Sequence, residues 1–119
     1  MNKLIKGSIF ICCILWSFTT YAQDAATVSG EVIDLSCYLS SGAQGADHAD
    51  CAKACLKGGK PMGLLSGDGT LYLLSPAKDG APYDALKALG GEMAEVSGKQ
   101  SERNGMKMVV VAGAKKTGS

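Results

Sequence analysis

Glycine cuts this chain into short pieces. Gly58-Gly59 followed by Pro61, then Gly67-Asp68-Gly69, Gly90-Gly91 and Asn104-Gly105 punctuate its second half. Each is a stop or turn signal, because glycine and asparagine tolerate backbone conformations that other residues avoid. The pieces left between them suit short strands and helices of two or three turns. Residues 62–66 and 70–75 flank Gly67-Asp68-Gly69 as a hairpin, and residues 92–102 and 106–112 flank Asn104-Gly105 as a second one.

The first half supplies the remaining elements. Residues 27–35 (TVSGEVIDL) alternate loosely between apolar and polar and are rich in β-branched residues, so they read as a strand with a bend or bulge at Gly30. Residues 40–46 are small and glycine-rich and read as a loop. Asp47 is suited to cap a short helix that carries Asp50 in its first turn and Lys57 in its last, before Gly58-Gly59 ends it. Residues 82–89 (PYDALKAL) form a second short helix. The order is strand, Cys/His-bearing helix, two strands, helix, two strands. This predicts a mainly β domain, a five-stranded OB-fold-like barrel with one helix inserted after strand 1 and another between strands 3 and 4. An α+β sandwich of the same elements is the alternative. Residues 23–26 and 115–119 are expected to be flexible ends.

The amino terminus reads as a leader. Lys3 and Lys6 precede an apolar run at residues 9–18, too short to span a bilayer comfortably, and Thr20-Tyr21-Ala22 places small residues at a cleavage point. Residues 1–22 are therefore expected to be a signal peptide and residues 23–119 one small domain, periplasmic or extracellular. Membrane attachment is expected only through an uncleaved leader. Losing Lys3 and Lys6 leaves 10 of the 12 basic residues against 11 acidic ones, a net charge of −1. No basic excess points to nucleic acid, which is not expected as a partner.

One stretch carries the chemistry. Cys37, His48, Cys51 and Cys55 hold every thiol of the expected mature chain and the single histidine. His48, Cys51 and Cys55 are spaced three and four apart, so a helix sets them within about 60° of one another on one face. Cys37 arrives from the end of the first strand. Three thiolates and an imidazole make a tetrahedral set for one soft ion, Cu(I) or zinc. Met62 could add a thioether, although a core position suits it better. In an exported chain the competing state is a disulfide from Cys37 to Cys51 or Cys55, with one thiol left over.

The chain also resembles a group of small secreted bacterial proteins whose pattern is a glycine-containing first strand ending in Cys-Tyr, then His-x2-Cys-x3-Cys, then Gly-x-Pro-x-Gly-Leu-Leu. The matching residues are Gly30, Cys37-Tyr38, His48, Cys51, Cys55 and Gly59-Lys60-Pro61-Met62-Gly63-Leu64-Leu65. The likeness spans nearly all of the expected mature chain. It implies the barrel and the grouping of the cysteines with the histidine, and it implies no reaction.

Two functions follow as expectations. One is an exported metal-binding module holding one Cu(I) or zinc ion through Cys37, His48, Cys51 and Cys55, with an envelope protein as a possible partner. The other is a disulfide-stapled OB-type module that binds a protein, a glycan or an oligonucleotide. An enzyme has less behind it: there is no Cys-x2-Cys redox pair, no haem attachment motif and no Ser/His/Asp set.

Overall fold

A computed structural model describes residues 25–118. The leader expected over residues 1–22 lies outside them, as do Gln23, Asp24 and Ser119. Five strands form a closed barrel: β1 (Ala25–Asp34), β2 (Met62–Ser66), β3 (Leu71–Pro76), β4 (Met93–Arg103) and β5 (Met106–Lys116). The spatial order is β1-β2-β3-β5-β4, and β4 pairs back onto β1. All neighbours are antiparallel except β3 and β5, which run parallel. This is the expected OB-fold-like barrel.

Closure depends on β1 serving two neighbours. Its first part pairs with β4, from Ala25↔Lys99 to Glu31↔Met93, and its last part pairs with β2, from Gly30↔Ser66 to Asp34↔Met62. Gly30 sits in the overlap, where a Cβ would collide with the Leu65 carbonyl. The bend expected there is thus a close approach of backbones. The register shift falls instead between Ser97 and Gly98, opposite β5. Gly98 has no room for a side chain against the Val110 carbonyl.

Residues 25–26 and 115–116, expected to be flexible, are strand. Ala25 and Ala26 pair with Lys99 and Gly98, and Lys115 and Lys116 pair with Glu95 and Ala94. Composition suggested fraying, but each end is an edge of the closing seam. Ion pairs from Lys115 to Glu95 (3.3 Å) and from Lys116 to Glu92 (2.8 Å) line it.

Inside the barrel, Val32, Leu64, Leu74, Val96, Val109 and Val111 interlock with Met62 and with Leu56 and Leu86 from the helices. Burying each of these side chains is worth about 1.5–3 kcal/mol. Met62 is fully buried in this core.

Among the described residues three helices accompany the barrel: α1 (Leu35–Ser41), α2 (Ala49–Lys57) and α3 (Ala81–Leu86), with single 3-10 turns at Ala46–His48 and Lys87–Leu89. Helix α1 was not expected. It begins directly at the end of β1, and the predicted loop shrinks to residues 42–45. Asp47 lies within a 3-10 turn and His48 occupies the cap position of α2 without a side-chain cap bond. Asp50 and Lys57 stand in the first and last turns of α2 as expected.

Helix α2 is held at two places. Ala52 and Leu56 are buried on its inner face. Gly90 and Gly91 press against its backbone: a Cβ on Gly90 would come within 2.9 Å of the Lys53 nitrogen, and one on Gly91 within 2.6 Å of the Ala49 Cα. Lys53 adds an ion pair to Glu92 at 3.2 Å.

Candidate metal centre

The site starts from the last residue of β1. Asp34 pairs with Met62 at the final rung of the β1–β2 ladder, and it also caps α1. Its Oδ1 accepts from the backbone N–H of Ser36 at 2.9 Å and of Cys37 at 3.3 Å. An aspartate cap satisfies the free N–H groups of a first turn, so the chain enters a helix exactly one residue past the strand. The same geometry sets Cys37, in the third helical position, beside the carboxylate.

Helix α2 delivers the second thiol. Cys55 precedes the buried Leu56 and faces α1, while the Lys60 N–H donates to the Cys55 carbonyl at 3.1 Å and fixes the turn that leads into β2. The Leu35 N–H donates to the Pro61 carbonyl at 3.0 Å and ties the start of α1 to that turn. As a result one carboxylate oxygen of Asp34 and the sulfurs of Cys37 and Cys55 all lie within 4.8 Å of one another.

Asp34 is the buried member, 2 % exposed, and its Oδ2 has no hydrogen-bond partner. An ionised oxygen in that position is costly unless something of opposite charge or a donor meets it. Burial alone would push the carboxyl up. The thiol and N–H of Cys37, the thiol of Cys55 and the N–H of Ser36 outweigh it and hold Asp34 below the usual range. The reverse effect falls on the thiols. The Asp34 carboxylate, with some burial, raises Cys37, and burial, Asp34 and Cys51 push Cys55 up to about 11. Without an ion, two neutral thiols therefore face one carboxylate.

The sequence-derived set is divided. Cys37 and Cys55 converge as expected. Cys51 stands one turn before Cys55 on α2, exposed to solvent. His48 lies one turn earlier still, half-buried, with Nε2 enclosed and without a hydrogen-bond partner. Neither belongs to the three-donor group around Asp34. Cys37, Cys51 and Cys55 are free thiols. Asp34 was not anticipated as a donor, although a signal existed: Asp-x2-Cys at a strand end places the cysteine in the first turn of a helix that the aspartate caps.

Tetrahedral zinc holds sulfur at about 2.3 Å and oxygen at about 2.0–2.2 Å, so its donors stand roughly 3.5–3.8 Å apart. Donors within 4.8 Å of one another need to close by no more than about 1.3 Å to reach that separation. The chain matches no protein-family model, no curated protein and no solved structure.

Proposed function

We propose that this chain is an exported metal-binding module that holds one ion between Asp34, Cys37 and Cys55. The observation that carries this is the buried Asp34 carboxylate, whose Oδ2 lacks a partner while two thiols face it. A divalent cation answers all three at once. It replaces the two thiol protons and supplies the charge the carboxylate lacks. The donor set also narrows the metal. Cu(I) favours wholly soft ligands, whereas zinc accepts thiolate, imidazole and carboxylate together, so zinc is the better fit of the two. His48 is a further candidate donor, and a His48→Gln chain that keeps full ion content would remove it from the set.

The test is elemental analysis of reduced protein after exposure to zinc or to Cu(I), followed by removal of free ion. One zinc per chain is expected, lost in Cys37→Ser and Cys55→Ser chains whose circular dichroism stays that of the barrel. Wild-type protein that retains no stoichiometric ion of either kind would end this reading. The disulfide-stapled binding module is less well supported, because the thiols that would form the staple are free and flank a carboxylate.

A further inference from the structure

We infer that Cys51 is the displaceable fourth ligand of the centre, the solvent-side thiol that closes over a bound ion and yields first to an incoming chelator or thiol. The inference rests on the proposed metal-binding reading and concerns what that site does with its ion.

Three donors leave one position of a tetrahedral ion open. The three present come from the inner side: Asp34 is buried, and Cys37 and Cys55 are half-buried on facing helices. Cys51 is the exposed cysteine of the described residues and stands one helical turn before Cys55 on α2. A turn of helix separates their Cα atoms by about 6 Å, so one ion can touch both sulfurs.

The attachments of the two cysteines differ. Cys55 adjoins Leu56, which is locked in the barrel core, and its carbonyl accepts from Lys60. The exposed Cys51 side chain can turn away without disturbing the core. An external donor meets the ion from the Cys51 side, since Asp34 at the end of β1 is buried. In the exchange, the bond from the ion to Cys51 sulfur breaks as a bond from the acceptor's donor atom forms. No electrons change hands, and the released thiolate takes a proton from water. Structural zinc sites close all four positions with fixed ligands. Here one of the four is exposed and outside the core, which suits a site that passes its ion on.

The experiment uses reduced protein loaded with one zinc per chain and mixed with a chromophoric zinc chelator. Wild-type release should accelerate in proportion to chelator concentration, because the chelator attacks the bound ion. Cys51→Ser protein should still bind one zinc but lose it faster by on the order of tenfold or more. The inference is overturned if Cys51→Ser binds no zinc, if it releases zinc at the wild-type rate, or if wild-type release is independent of chelator concentration. Any of these with wild-type zinc binding intact leaves the Asp34–Cys37–Cys55 reading standing. Failure of wild-type protein to take up zinc removes both.

Discussion

Two aspartates each organise a sharp change of chain direction, and they end in opposite conditions. Asp68, in the β2–β3 turn, takes its Ser66 hydroxyl and the Thr70 N–H (3.0 Å) onto Oδ1 in an exposed setting. Asp34, at the β1–α1 junction, does the same for two backbone N–H groups but is buried with Oδ2 idle. Both carboxyls are lowered: Asp68 to about 2 by the Ser66 hydroxyl and Thr70, and Asp34 by its thiol and amide donors acting against burial. Water can serve whatever Asp68 leaves unsatisfied. It reaches Asp34 poorly, so there an unused oxygen next to two thiols becomes a chemical demand. A depressed carboxyl is therefore an ordinary turn device at one place and the base of a site at the other, and burial makes the difference.

The sharpest way to break this comparison is Asp34→Asn. The amide keeps an acceptor for the α1 cap but removes the charge, so ion content should fall from one zinc per chain to none while the barrel stays folded. Retained zinc would show that the carboxylate is only a cap. Asp34→Ala should add a stability loss of about 1 kcal/mol from the missing cap, readable by urea denaturation.

Moving the second helix tests the same site from the other side. Gly91→Ala puts a Cβ against the Ala49 Cα, in a residue whose φ of +78° already disfavours side chains. It should cost about 1–3 kcal/mol and weaken zinc binding by shifting Cys55 away from Cys37. Unchanged zinc affinity would mean that the position of α2 does not matter to the site.

Smaller effects appear in the pH dependence of the metal-free protein. Cys55 is raised in the fold from 9.0 to about 11, so its neutral form is favoured there. That contribution is full below pH 9 and disappears as pH rises through about 11. Thermal scans should therefore show an alkaline loss of stability over that window, reduced in Cys55→Ser. Asp68 works in the opposite sense. Lowered from 3.8 to about 2, it stabilises fully above pH 3.8 and ceases to do so as pH falls through about 2. Asp68→Asn should flatten the acid limb slightly, with the smallest stability change of the set and no change in zinc content. A change in zinc content would join the two regions that the comparison separates.

Much of the barrel was legible because its signals are local. Gly67-Asp68-Gly69 and Asn104-Gly105 each made the hairpin they announced, with Asn104 at a φ of +52°. The helix expected over residues 82–89 is α-helical only to Leu86, and Gly90 follows the 3-10 turn that completes it. The strand ends were harder. Ala25 and Lys116 look like tail residues in sequence, and only the closing seam between β1, β4 and β5 makes them strand. Helix α1 was missed because Leu35-Ser36-Cys37-Tyr38 is short and has no strong helix signal; its start depends on the carboxylate before it.

By itself the sequence determined the five strands and the helices α2 and α3, in their order, and that thiols and an imidazole gather on one inserted segment. Turn chemistry and strand alternation act over a few residues, so they can be read along the chain. Only the tertiary structure decided which donors meet. Cys37 and Cys55 are 18 positions apart, and Asp34 joins them because the end of β1, the cap of α1 and the packing of α2 on Gly90-Gly91 share one corner of the barrel. Convergence of that kind is a property of packing, and no spacing along the chain encodes it.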